Sequence, residues 1–500
     1  MSKTFYSLRY HNYLLWFVSN LVSSTGQWMQ RVAQDWLVLT ILTDHSGLAV
    51  GVTTALQFLP QLLFSMHSGL LADRFNRRHM LQVTQVITAV LSVVMGVLVL
   101  VGHAQLWEVY VIAFLAGTAN TVGTPARQTF VSELVPPKDL PNAVGLNSTA
   151  FNAARMIGPA VAGVTIAAVG PGWVFLINAA LFLVPIIALG MMRVADLREV
   201  PSAPRHKGMI REGLAYVRGR SDIVLITLVT TVMSMLGFNH QLTQGVMATT
   251  VYGKGAGEYG LLGSVMAIGS LGGALVAARR SRPRVALVFG SALAYGVCQT
   301  ILALAPTYTW YAILLIPTGF LMLTVITAAN ATIQVSTPPE VRGRVLSIYF
   351  LFYLGVTPLG SPLVGWIAEQ FGARWSVGIG GVVPGLTALV AMIIAWRTWD
   401  VEVVQTERFP WIQVLGPRER ALRAEEAQRI HDIVDPVEER EPVTGAAAAR
   451  HAAREVARRL RHPSQIRRGI AWRVRPRLRR GRSRLRRRPR LRRRRPGPRG

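Results

Sequence analysis

Arg31 and Asp35, groups of opposite charge, stand four residues apart within an apolar stretch of this 500-residue chain. On a helix that spacing is about one turn, so both lie on one face. A second cation, Arg155, falls about 13 residues into the fifth apolar run, near mid-bilayer at 1.5 Å per residue. Charges at such depth are costly, face a bundle interior or a wet cavity, and have partners. Burial favours the neutral form of an acid, and a nearby guanidinium favours its charged form. Exchange of Asp35 between Arg31 and Arg155 would therefore suit proton coupling. A permanent ion pair that fixes helix packing is an equally good reading of the same three residues.

A second charged group is the turn Gly69-Leu70-Leu71-Ala72-Asp73-Arg74-Phe75-Asn76-Arg77-Arg78, which separates two apolar runs. Asp73 at the foot of a helix can accept from the amides of a neighbouring helix or pair with Arg74, Arg77 or Arg78. The expectation is a cytoplasmic latch between moving helices, with Gly69 leading into the motif; the plainer reading is a topology signal. Amides form a third group: Gln27, Gln30 and Gln34 in the first run, Asn239, His240, Gln241 and Gln244 in the seventh, Asn330 and Gln334 in the tenth. With Trp28, Trp36, Phe238 and Tyr349 they would line a midplane cavity for an amphipathic ligand, or simply hydrogen-bond between helices.

These residues need elements to hold them. The chain is 51% hydrophobic and 16% charged, against about a quarter charged in soluble proteins. Apolar stretches of membrane-spanning length recur through the first 400 positions, and in hydrocarbon they must be helices. They predict an all-α membrane protein with twelve transmembrane helices in two six-helix pseudo-repeated halves. The spans run 12–42, 47–71, 79–102, 107–131, 142–169, 172–193, 223–251, 258–278, 284–305, 308–333, 345–368 and 375–397. Basic loops (Lys3 and Arg9, Arg74–Arg78, Arg127 and Lys138, Arg205–Arg220, Arg279–Arg284, Arg342 and Arg344) alternate with short loops poor in arginine. The positive-inside rule places both termini in the cytoplasm. The halves are 1–193 and 223–397, joined by a linker 194–222 whose Ile210, Leu214 and Val217 share one face, as in a helix lying on the membrane surface. The single cysteine, Cys298, excludes an internal disulfide and cysteine-rich metal sites and reads as packing filler.

The net charge is +29, of which residues 401–500 supply +18. Residues 398–446 are mixed in charge, with helical patches expected around Arg418–Ile433; from 461 onward there are 19 arginines and no acid. Such a block repels itself and stays solvated and disordered, with contact to anionic lipid as its expected partner. Nucleic acid is not expected, because no recognition fold accompanies the arginines and Trp472 is the only aromatic among them.

The halves repeat. Gly158, Gly163, Gly170 and Trp173 recur as Gly360, Gly365, Gly372 and Trp375, and Pro136-Pro137 as Pro338-Pro339, all at an offset of 202 residues. Gly26 and Gln30 recur as Gly237 and Gln241. Internal duplication points to a transporter with its site between the halves. Here the chain resembles the major facilitator superfamily, whose signature between the second and third helices is similar to Gly69–Arg78. It departs at Asn76, where glycine is usual and where Asn would tolerate a left-handed turn. The second-half counterpart, Gly273 to Arg280, has Ala277 in place of Asp73. Trp28–Leu39, Pro125–Pro136, Arg155–Pro159 and Arg342–Val345 are similar to the branch that includes macrolide-efflux and enterobactin-exporter proteins, the transmembrane secretion effectors. The resemblance covers about residues 4–397. It implies export of amphipathic small molecules driven by the proton gradient, with no cofactor, and Gly158, Pro159 and Gly163 resemble the antiporter signature of the fifth helix. Import or facilitated passage of a small solute is the alternative within transport. A non-transporting membrane protein acting through its basic tail is the alternative outside it. No phosphate loop, cysteine cluster or nucleophile elbow supports an enzyme.

Overall fold

The computed structural model describes residues 3–198, 209–278, 285–399, 402–405 and 412–415. Of Gly69 and Asp73, and of a few other helical positions, only the backbone is described. The helices are α1 (His11–Leu37, continued by a π-helical turn Val38–Leu42), α2 (Gly47–Arg74), α3 (Arg77–Val101), α4 (Leu106–Leu134), α5 (Leu140–Val169) and α6 (Pro171–Met191). There follow α7 (Met209–Arg218), α8 (Ser221–Val232), α9 (His240–Val246), α10 (Ala256–Ala278), α11 (Val285–Ala303), α12 (Tyr308–Ser336), α13 (Pro339–Gly355), α14 (Thr357–Phe371) and α15 (Ala373–Thr398). Among the described residues, eleven helical stretches are long and apolar enough to cross a membrane. The interior helix α1, which carries Arg31, Asp35 and several amides, is not one of the eleven.

Local chemistry sets the helix ends. The Ser46 hydroxyl accepts from the Ala49 amide at 3.1 Å, and the Thr307 side chain caps α12 through the Trp310 amide. Asn76 departs from expectation. Its backbone is extended (φ −60°, ψ 118°) rather than left-handed, because its side-chain oxygen accepts from the amides of Arg78 and His79 and starts α3. Gly170 (φ 86°) and Gly372 (φ 96°) take the positive φ that turns α5 into α6 and α14 into α15.

Each outer helix has two faces. On α3, Ala89, Ser92 and Gly96 are buried, and the Cβ position of Gly96 lies 2.8 Å from Leu176 of α6. Val90, Val97 and Val101 stand exposed on the opposite side, as suits lipid. Lipid is as apolar as valine, so small residues and close backbones hold such helices together. Large aromatic side chains help fill the interior, with Tyr13, Tyr295, Tyr311 and Phe175 fully buried.

Two close seams lie at the end that carries the short loops. There α5 meets α10, and the Cβ position of Gly260 falls 2.2 Å from the Pro159 carbonyl. At the same end α2 meets α14, and the Cβ position of Gly365 falls 2.2 Å from the Gly47 carbonyl. Glu369 closes this second seam by accepting from the Ser46 hydroxyl at 2.8 Å and the Leu48 amide at 3.2 Å. Toward the arginine-rich end Val144 and Phe151 of α5 and Leu63 of α2 are exposed, and nothing lies within 4 Å of the Gly145 Cβ position.

Helix α7 departs from a purely surface position. Its Gly213 sits against Arg344 and Ile348 of α13, Val217 is buried, and Glu212 pairs with Arg344. The glycine notch lets the apolar face dock on protein. Beyond the helical unit, Glu402–Gln405 (β1) and Ile412–Leu415 (β2) form an antiparallel ribbon with Val403 opposite Val414. The sequence reading had no strand there; its β-branched alternation favours one. The helical patch expected at 418–433 and the arginine run from 461 lie outside the described residues, as do Arg279 and Arg280.

Candidate functional site

The expected ion pair is not formed. Among the described residues, no carboxylate lies within 4.0 Å of Arg31 or Arg155. Asp35, 8% exposed, instead stands 3.3 Å from the Tyr259 hydroxyl in the first turn of α10. The same hydroxyl is 3.2 Å from the Gln241 carbonyl of α9, and the Tyr259 ring stacks on Trp36 at 6.2 Å. One hydroxyl proton thus has two acceptors on two helices. A charged carboxylate outcompetes a carbonyl for it, whereas a protonated Asp35 can itself donate and release the tyrosine to Gln241. The arginines gather on aromatic faces: Arg31 lies 5.0 Å from the Trp28 ring and 5.5 Å from Phe58, and Arg155 lies 5.7 Å from Trp28. Arg155 is also near enough to His240 and Tyr353 for its charge to act on both.

The amides divide between two tasks. Gln30 accepts from Ser92 at 3.0 Å and from Asn178, tying α1 to α3 and α6, while its flank also lines a small polar cavity. That cavity, about 50 Å³, is bordered by Gln27, Arg31, Gln57, Gln61, Asn120 and Arg127. Gln34 is buried in α1 but is not among the residues that border it. Asn239 is tied into packing, accepting from Ser361 at 2.8 Å and donating to the Met235 carbonyl. His240 Nε2 shares a 3.0 Å hydrogen bond with Tyr295, and Gln244 donates to the Met266 sulfur. Asn330 accepts from Gln334, its neighbour on α12. Of the amides expected in a common cavity, Gln27 and Gln30 border this one. Arg127, read from the sequence as a loop charge, lies inside α4, and its Nε is buried without a partner. Tyr259, Gln57, Gln61 and Asn120 were not foreseen, although Gln57 and Gln61 stand one turn apart within an apolar helix.

At the arginine-rich end, Arg77 pairs with Glu133 of α4, and Arg78 donates to the carbonyls of Leu189 (2.5 Å) and Gly190 (3.0 Å) at the foot of α6. Cations suit that C-terminus. The sequence reading tied these arginines to Asp73 in a latch; in the structure their contacts brace α3 to α4 and α6. The Asp73 side chain lies outside the described residues. Arg74 is exposed. Arg9 adds a further brace, donating to Tyr10 and lying 3.4 Å from Asp139; the tyrosine hydroxyl beside it raises its already high pKa. Arg77→Ala should lower the apparent melting temperature in detergent by a few degrees. Both partners are 14% exposed, and removing one charge from such a pair costs about 1–3 kcal/mol. Arg74→Ala should leave it unchanged. Equal melting of all three proteins would refute the brace.

Gly158, Pro159 and Gly163 all serve packing. Gly158 presses on α1, its Cβ position 2.6 Å from Trp28, and Gly163 lies against the Ala256 carbonyl of α10. Their counterparts behave likewise, Gly360 against Met235 and Gly365 against Gly47.

The architecture has known counterparts. The profile of the transmembrane secretion effectors matches residues 2–418. The chain belongs to that family of major facilitator superfamily transporters. The transporter is 25% identical to the staphyloferrin A transporter of Staphylococcus aureus (strain NCTC 8325 / PS 47) over 73% of this chain and 92% of that one. It is 26% identical to the multidrug efflux pump Tap of Mycolicibacterium fortuitum, over 72% and 90%. In fold it is similar to a bacterial homologue of the human lysosomal transporter Spinster, crystallised inward-facing and occupied, with a TM-score of 0.63, 17% identity, and 78% and 97% of the two chains covered. This secretion effector is thus a multi-pass membrane transporter of small molecules. It is not an enzyme and needs no cofactor.

Proposed function

We propose that this transporter is an exporter of amphipathic small molecules that works by alternating access as a proton antiporter. Twelve spans, with α1 as the first, form halves 1–193 and 223–397 about the linker 194–222, and both termini lie in the cytoplasm. The 202-residue recurrence of glycine contacts supports the two halves, and the basic loops support the orientation. On that orientation the seams α5–α10 and α2–α14 close the outer side and the cavity opens inward. The observation that carries the reading is Asp35, a buried carboxylate in α1 that contacts α10 through Tyr259. Protonation changes what Tyr259 binds, so a proton can bias one conformer over the other.

Drugs, macrolides and siderophore-like compounds are the substrate class, following the relatives named above. Inverted membrane vesicles test the proposal. With an inside-acid gradient they should accumulate a transported dye or macrolide several-fold above the deenergised level, and a protonophore should abolish the excess. Accumulation that ignores the gradient would refute antiport, and accumulation only in right-side-out vesicles would refute export.

A further inference from the structure

The membrane interior carries more positive charge than its acids balance. Arg31, Arg127 and Arg155 lie well inside α1, α4 and α5, and among the described residues none has a carboxylate within 4.0 Å. Asp35 is the one described acid at comparable depth, and Tyr259 engages it. The other described acids occupy terminal turns, connecting segments or α7. Arg127 Nε is buried without a partner. The polar lining of the cavity shared by Arg31 and Arg127 is otherwise glutamine, asparagine and threonine, with Phe58 and small residues of α4 completing the wall and no carboxylate in it. At about 50 Å³ it has room for a few waters or one compact oxyanion. Beside it, Trp28 and Phe58 offer an apolar surface under the guanidinium groups.

We propose that this cavity binds the anionic head of the transported molecule, and that the secretion effector selects amphipathic carboxylates over neutral or cationic compounds. The inference rests on the exporter reading and narrows its substrate. Unpaired charges within a membrane protein mark a ligand path, and a guanidinium fork matches a carboxylate in two parallel hydrogen bonds. Gln27, Gln57, Gln61 and Asn120 supply neutral donors around it. A cationic drug would meet the like charge of Arg31 and Arg127 with no carboxylate to offset it. Arg155, 5.7 Å from the Trp28 ring, adds to the positive field.

Binding to the purified protein in nanodiscs tests this without any transport step. The probes are dansyl-phenylalanine and dansyl-glutamate, each against its carboxamide, with ethidium as the cation. The acids should bind at least tenfold tighter than the amides, with ethidium weakest, and Arg31→Gln or Arg127→Gln should reduce the acid preference to near parity. Equal binding of acid and amide by the unaltered protein, or no binding of either acid, overturns the proposal and needs no variant that folds. Survival of the full preference in both variants overturns the assignment to this cavity. Acid preference without vesicle accumulation would leave the site standing and sink the exporter reading; gradient-driven accumulation of ethidium and amides with no acid preference would do the reverse.

Discussion

Asp35→Asn should lower gradient-driven accumulation in inverted vesicles at least tenfold while leaving exchange of labelled for unlabelled substrate within about twofold. Asparagine keeps the size and the acceptor oxygen of Asp35, so Tyr259 retains a partner on α1 and the packing survives. What it lacks is a proton to gain and lose. In the carboxylate form, the Tyr259 hydroxyl makes a charge-assisted bond at the closed outer seam; such a bond is roughly twice as strong as a neutral one. Protonation removes that advantage and frees the hydroxyl for the Gln241 carbonyl. A change of about 1.4 kcal/mol between conformers is a tenfold change in their ratio, within the range one charged hydrogen bond supplies. Tyr259→Phe should behave differently: the proton still binds, so coupling persists, but the rate changes. Full gradient dependence in Asp35→Asn would remove Asp35 from the coupling machinery.

The helical stretches were legible because the thickness of hydrocarbon dictates their length, and the observed ends differ from the expected ones by a few residues. The constant 202-residue offset was equally visible, since glycine at a helix contact cannot be exchanged for a larger residue. Long-range pairings were not legible. Nothing local marks Tyr259 as the partner of Asp35, 224 positions away; it reads as an ordinary tyrosine at a helix start. Arg127 was grouped with Lys138 as a basic loop although the expected span 107–131 already contained it, and α4 runs on past it to Leu134. Asn76 was assigned the right location and the wrong conformation, because its side chain, rather than a left-handed backbone, makes the turn. The linker helix was found from its periodicity, but only Gly213 could have hinted that its apolar face meets α13. Spacing shows which residues share a face, while the identity of the opposing face depends on the tertiary fold.

The same reasoning gives the second large effect, at Gly260. A Cβ there would lie 2.2 Å from the Pro159 carbonyl, 2.9 Å from the Gly163 Cα and 3.0 Å from the Gly163 nitrogen, all backbone atoms of α5. None can rotate aside, so Gly260→Val must part α5 from α10 at the outer end. Overpacking of this kind costs typically 1–3 kcal/mol. On the proposed alternating-access cycle the seam forms in one conformer and opens in the other, so that cost shifts the population toward the outward-open state by up to about a hundredfold. Transport should fall at least tenfold with the protein still folded, since the other conformer tolerates the side chain. Spin labels on exposed Val164 of α5 and Leu261 of α10, with Cys298 replaced by serine, would report a longer distance in Gly260→Val than in the parent. Gly257, one turn away, has nothing within 4 Å of its Cβ position, so Gly257→Ala should change neither transport nor distance. An unchanged distance and wild-type transport in Gly260→Val would mean that the seam carries no conformational energy, and the assignment of the closed outer gate to α5 and α10 would fall.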